Sequence, residues 1–383
     1  MSNPAILGVP LEDLRRDRTS VKWRLFPEDV LPLWVAEMDA APCPPVVDAV
    51  SRAMRRGDTG YAWGPPYAAA LARFAAETWG WSFEPEATSV VADVMVGASE
   101  LLRALTDDQG AVIISPPVYD SFFGFIEAIG RRRIDAPLSP EGRLDAAALT
   151  EAFRGATARG GRAAYLLCNP QNPTGTVHRP DELEMLARLA DEHGVRVISD
   201  EIHAPLTYAT SRFTPYLSVP GAERGFAVLS PSKGWNLAGL KSALVVAGPA
   251  ARADLSLLHE VHTHGASHIA TIAHIAALDE GRDWLGQLVG ELDANRHLLI
   301  RLLAEHLPAV TYQPPEATYL AWLDCRLLGL GDDPAAVFRH RGRVALSPGR
   351  RYGEPGNGFV RLNLATSPEI ITEAVHRMAS AVG

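Results

Sequence analysis

Along the chain, short apolar runs alternate with longer stretches in which apolar residues return every three or four positions. The runs at residues 111–115, 163–168, 195–199, 226–229 and 242–247 have the length of strands and are mostly apolar without a polar face, as strands buried on both sides are. Between them lie amphipathic stretches such as 181–193, where Leu183, Leu186, Leu189 and Ala190 recur at helical spacing. This alternation predicts an α/β sheet with helices on both faces. One connection departs from the parallel rule. Only about a dozen residues separate 229 from 242, and a parallel crossover usually needs that length for its helix alone; the strand at 242–247 is therefore expected to run antiparallel to its neighbours. Beyond about residue 250 the texture changes to long helical stretches reaching about residue 307, followed by strand-like pieces at 318–323 and 359–364. A second, smaller α+β domain is expected there, with the proline-rich segment up to Pro45 packing on it.

Composition narrows the function classes. The apolar start around Ile6 and Leu7 is soon interrupted by Glu12, Asp13, Arg15 and Arg16, so neither a membrane span nor a secretory signal is expected. Cys43, Cys168 and Cys325 lie far apart with no C-x-x-C pair to suggest a zinc or redox site, which fits a cytoplasmic protein. The formal charge of -9 is spread along the chain, and the basic cluster at 131–133 is too short for nucleic-acid binding. Lysine is scarce: only Lys22, Lys233 and Lys241 occur, the other basic residues being arginine. Lysine chemistry therefore has three candidates, two of them in SPSKGWNLAGLK (230–241).

Ligands of open parallel sheets bind beyond the carboxyl ends of the strands. Four such ends carry Tyr119 after Pro116 and Pro117, NPQNPTG (169–175), SDEIH (199–203) and SPSK (230–233). Together they offer an aromatic face, an amide, a carboxylate, an imidazole, hydroxyls and a primary amine. This set suits pyridoxal 5'-phosphate: an amine to form a Schiff base, a buried carboxylate to keep the ring nitrogen protonated, and hydroxyls near a helix start to bind phosphate.

The same residues allow other readings. SPSK satisfies S-x-x-K, the nucleophile motif of serine β-lactamases and penicillin-binding proteins, but the S-D-N and K-T-G partners of that mechanism are missing. His259-Glu260 begins like H-E-x-x-H, yet Thr263 stands where the second histidine belongs. The histidines at 259, 262, 264, 268 and 274 are therefore expected on helix surfaces or between domains, and no metal is expected. The segment 234–241 lacks the Gly-Lys of a phosphate loop, and no G-x-G-x-x-G occurs. A binding protein that merely keeps the fold finds no support either, because the lysine and the aspartate are both present.

NPQNPTG, SDEIH and SPSKGWNLAGLK, in this order, resemble the fold type I pyridoxal-phosphate enzymes of the aspartate aminotransferase superfamily. LWVAEMDAAPCPP (33–45), SPPVYDSF, ATYLAWLD (317–324) and GFVRLNLA (358–365) resemble the MalY/PatB-like carbon-sulfur β-lyases most. The resemblance implies an α/β fold with a mostly parallel seven-stranded sheet, one antiparallel strand and helices on both faces. It also implies a large cofactor domain over residues 46–284 and a small α+β domain formed by 1–45 and 285–383.

Carried over by position, Lys233 is the Schiff-base lysine and the acid/base at the substrate Cα. Asp200 pairs with the pyridine nitrogen, Asn172 and His203 reach the phenolic oxygen, and Tyr119 stacks on the ring. Ser230, Ser232 and Lys241 meet the phosphate, together with backbone amides of Val94 and Met95 before a helix beginning around Gly97. Arg361 holds the substrate α-carboxylate, and Tyr61 is lent to the neighbouring subunit of a homodimer. Three departures stand out. Asp93-Val94-Met95 lacks the glycine that often opens the phosphate loop, Lys241 stands where relatives have arginine or an uncharged residue, and Glu37 and Ala40 replace a commoner aspartate and phenylalanine. The implied activity is β-elimination on L-cystathionine or related cysteine S-conjugates, and the alternative is amino-acid transamination.

Overall fold

The structure, a computed structural model, describes residues 4–383. A seven-stranded sheet is built from β1 (Thr88–Val91), β2 (Val112–Ile114), β3 (Arg133–Asp135), β4 (Ala164–Cys168), β5 (Arg196–Asp200), β6 (Phe226–Leu229) and β7 (Ala243–Ala247), in the order β1-β7-β6-β5-β4-β2-β3. The pairings among β3, β2, β4, β5 and β6 are parallel. β7 runs antiparallel to both β6 and β1, as the short path from residue 229 to 242 requires. The apolar pattern misses β1 and β3. Both are edge strands, and β3 exposes two of its three residues, so neither shows the apolar run of a strand buried on both faces.

Helices cover both faces of this sheet. α1 (Pro44–Arg56) and α2 (Gly64–Trp79) precede it, α3 (Val94–Leu105), α4 (Ser121–Ala128), α5 (Ala146–Thr157) and α6 (Pro180–Glu192) alternate with its strands, and α7 (His268–Glu280) and α8 (Arg282–His306) follow. Alternate strand residues point to opposite sides. Ile114, Leu166, Ile198 and Val228 pack with α3, whereas Ile113, Tyr165, Leu167 and Val197 pack with α5 and α6. α3 lies close on the sheet at Gly97, where a Cβ would come within 2.8 Å of the Val91 side chain; only glycine permits that approach.

A second sheet contains β8 (Thr311–Tyr312), β9 (Leu320–Asp324), β10 (Ser347–Pro348) and β11 (Phe359–Asn363), antiparallel throughout in the order β10-β11-β9-β8. α9 (Pro334–Gly342) and α10 (Pro368–Val382) accompany it. The N-terminal segment joins this unit. Leu31 and Pro32 pair in parallel with Val344 and Ala345, and Leu14, Leu31 and Leu33 share a core with Leu303, Leu323, Leu362 and Ile371. Residues 1–3, in the stretch assigned to the small domain, and the side chain of His262, in that assigned to the large one, lie outside the described residues.

The histidine expectation needs a correction. His274 sits on α7 in the core rather than on a surface, within 3.1 Å of the Tyr67 hydroxyl, and burial pushes its pKa down to about 3. Among the described residues no cluster could hold a metal ion, no helix is long and apolar enough to cross a membrane, and the three cysteines are buried and free.

Candidate active site

Four strand ends and the turns beyond them form one wall of a cavity of about 280 Å³. β2 leads to Tyr119, β4 to Asn172, β5 ends on Asp200, and β6 runs into Ser230, Ser232 and Lys233. Eleven of the twelve residues proposed from the sequence line it: Val94, Met95, Tyr119, Asn172, Asp200, His203, Ser230, Ser232, Lys233, Lys241 and Arg361. Tyr61 does not. It is 95% exposed and pairs through its backbone with Ser267.

Burial sets the electrostatics. The Lys233 amine donates to the Ala36 carbonyl at 2.9 Å. Loss of hydration, helped by the positive charges of Arg361 and Lys241, pulls its pKa down to about 8 against the pull of Asp200 and Glu37. Asp200 moves the other way. Burial raises its carboxyl to about 7, opposed by the Ile202 amide, which donates to Oδ1 at 3.1 Å, and by Lys233. Such a carboxylate lacks a full cationic partner, and a protonated ring nitrogen would supply one. His203 is driven well below the usual histidine value by burial, then by Lys233 and Arg361, so its ring is neutral. Its Nδ1 finds no partner among the described residues.

Arg361 extends from the middle of β11, paired in register with Trp322 and Ser347. It is 5% exposed. Nη1 donates to Asn172 Oδ1 at 3.0 Å and Nη2 to the Trp34 carbonyl at 3.2 Å, while its guanidinium lies 5.0 Å from the centre of the Tyr352 ring. With Oδ1 of Asn172 engaged as an acceptor, its NH2 end remains to donate to a ligand. Nε of Arg361 has no partner among the described residues, and a buried guanidinium with an open donor is suited to a carboxylate.

The phosphate end differs from expectation in one respect: α3 begins at Val94, not around Gly97. The cause is Asp93, whose Oδ1 accepts from the Val96 amide at 2.8 Å and caps the helix. Oδ2 of Asp93 pairs with Lys241 at 3.1 Å, so Lys241 neutralises a carboxylate that would otherwise oppose an anion at this helix start. Ser230 donates to the Ser242 carbonyl at 2.9 Å and accepts from the Ser232 amide at 3.2 Å, which shapes the turn before Lys233. The Ser232 hydroxyl and the first α3 amides remain to meet an anion. The chemistry of the donor set thus fits pyridoxal phosphate.

On the opposite wall sequence reasoning found Arg361 and the motif at 33–45 but not the backbone contacts that hold that segment. Residues 34–38 cross the cavity as a strap held largely by its backbone. Ala36 O accepts from Lys233 and from the Tyr319 hydroxyl, Asn363 donates to the carbonyls of Val35 and Glu37, and Lys22 donates to that of Glu37. Asn236, in the left-handed region at φ 56°, bonds both the amide and the carbonyl of Met38. Lys22 is fully buried and pairs with Asp39 at 2.8 Å. A carbonyl acceptor is the same whatever the side chain, so these contacts leave no mark in residue identity. Asp120 and Arg351 also line the cavity; Asp120 lies within SPPVYDSF without an assigned role, and Arg351 lies in none of the quoted motifs.

The family described as "Aminotransferase class I and II" matches residues 28–378. A "Putative cystathionine beta-lyase" of Mycobacterium tuberculosis is 52% identical over 390 residues, covering 96% of both chains. "Cystathionine beta-lyase" of Corynebacterium glutamicum is 34% identical, covering 97% of this chain and 98% of its own. The crystal structure of a "putative plp-dependent beta-cystathionase" from Corynebacterium diphtheriae superposes with a TM-score of 0.92 at 35% identity, covering 99% of each chain. With its fold, its strand-end residues and these relatives in agreement, the chain belongs to the class I and II aminotransferase family.

Proposed function

We propose that this protein is a pyridoxal-phosphate-dependent carbon-sulfur β-lyase, acting on L-cystathionine or related cysteine S-conjugates. The observation that carries this reading is the likeness over nearly the whole chain to relatives named for cystathionine β-elimination. The cavity supplies what that chemistry asks of a protein. Bound to Lys233, the cofactor would supply an electron sink for the pair left when the substrate loses its Cα proton. Asp200, ionised against the ring nitrogen, would keep that nitrogen protonated. Asn172 and His203 would face the phenolic oxygen, and Tyr119 the ring. Ser232, Lys241 and the amides of Val94 and Met95 would hold the phosphate in the turn that Ser230 shapes. Arg361 would grip the α-carboxylate and turn the Cα–H bond towards Lys233.

The Lys233 amine would take the Cα proton, which its low pKa equips it to do as a neutral base near pH 8. The Cβ–S bond would then break, sulfur leaving with the bonding pair and taking up a proton as the free thiol, and the three-carbon remainder would hydrolyse to pyruvate and ammonia. The active unit would be a homodimer in which the exposed Tyr61, beside the exposed Trp63, reaches the neighbour's phosphate site. The buried thiols accord with a reducing cytoplasm.

Purified enzyme incubated with L-cystathionine tests the reading. One pyruvate, one ammonia and one free thiol are expected per substrate consumed. Exchange of amino and keto groups without thiol release would replace the lyase with an aminotransferase.

A further inference from the structure

At the mouth of the cavity, Asp120 Oδ2 pairs with Arg351 Nη2 at 2.8 Å. Asp120 is the residue before α4, where an aspartate usually accepts a bond from its own helix; here it makes no such bond and reaches Arg351 instead. The two come from distant parts of the chain, yet both line the same cavity as Lys233 and Arg361. Both also act electrostatically on Tyr352, the ring beneath Arg361. The carboxylate is 15% exposed and the guanidinium 56%, so the pair has one side in the cavity and one in water. An ion pair this exposed contributes little to stability, which leaves its position at the mouth as its notable property.

We propose that Asp120 and Arg351 recognise the far end of the substrate when that end is itself an amino acid. The proposal rests on the lyase reading and sharpens it. With the reacting α-carboxylate on Arg361, a substrate such as L-cystathionine places a second carboxylate and a second ammonium on the other side of its sulfur. The carboxylate would take the planar fork of Arg351 and the ammonium would donate to Asp120, so a zwitterion bridges a preformed pair of opposite charges. No net charge is added to the mouth. A thioether ending in a plain alkyl group makes neither contact, and the site therefore selects for substrates joining two amino acids through sulfur.

The test compares L-cystathionine with S-butyl-L-cysteine, which has a similar reach but no distal charges, in the wild-type holoenzyme and in Arg351→Ala and Arg351→Lys. The ratio of kcat/KM for cystathionine to that for the butyl compound should fall about tenfold in Arg351→Ala, through KM, and less in Arg351→Lys, which keeps the charge but not the fork. An unchanged ratio in Arg351→Ala would overturn the proposal. Should the wild-type enzyme release thiol from neither compound and transaminate instead, the lyase reading fails by itself. Distal recognition is then read from cystathionine as a competitive inhibitor, whose inhibition constant should rise about tenfold in Arg351→Ala; no rise would sink it.

Discussion

One wall of the cavity comes from successive strand ends of the seven-stranded sheet, the other from the N-terminal strap and the four-stranded sheet. On the first wall the reactive contributions are side chains of particular types, Tyr119, Asn172, Asp200 and Lys233, and backbone enters only at the start of α3. On the second, backbone carbonyls of Trp34 and Ala36 do much of the holding, and Arg361 and Tyr319 reach them from more than 280 positions away in the chain. The first wall supplies reactive groups and the second positions them. Lys233 links the two, since its amine rests on the Ala36 carbonyl while its charge is felt by Asp200.

Substitutions on opposite walls should therefore fail in different ways. The largest effect belongs to Lys233→Ala, expected to abolish the borohydride-reducible yellow chromophore and to cut turnover by roughly 10³-fold or more. Cofactor that stays covalently attached after borohydride reduction and denaturation of this variant would place the reactive amine elsewhere. On the other wall, Arg361→Ala should lower kcat/KM by roughly 10²-fold, chiefly through KM, with the cofactor still bound. Spectroscopic titration separates the two cases, because loss of cofactor from Arg361→Ala would give this residue a role in the first wall.

The smallest effect needs no substitution. Condensation with the cofactor aldehyde requires a neutral amine, and burial lowers the Lys233 pKa from 10.5 to about 8. Below that value the neutral fraction falls by about tenfold per pH unit. Cofactor uptake by the apoprotein should thus accelerate with rising pH until about pH 8 and then level off. Rates still climbing at about pH 10, as for an ordinary lysine, would contradict the burial of this amine.

Much of the first wall was legible because strands and reactive residues are local features. An apolar run marks a strand, its end marks where a ligand can bind, and SDEIH or SPSK names what stands there. The scarcity of lysine sharpened the choice further. β1 and β3 escaped notice because edge strands are short and half-exposed. The start of α3 was displaced in the reading because one aspartate side chain advances the helix to Val94. The pairing of Lys241 with Asp93 is not written in either motif and became visible only in the folded chain.

The amino-acid order alone determined the α/β sheet, the antiparallel seventh strand and the set of groups at four strand ends, since each depends on periodicity, loop length or residue type within a few positions. Only the tertiary structure decided how the strap crosses Lys233, that Asn172 serves Arg361, and that Asp120 meets Arg351 at the mouth. Those contacts join residues far apart in the chain, several through carbonyl groups that every residue carries, so the folded path determines which of them meet.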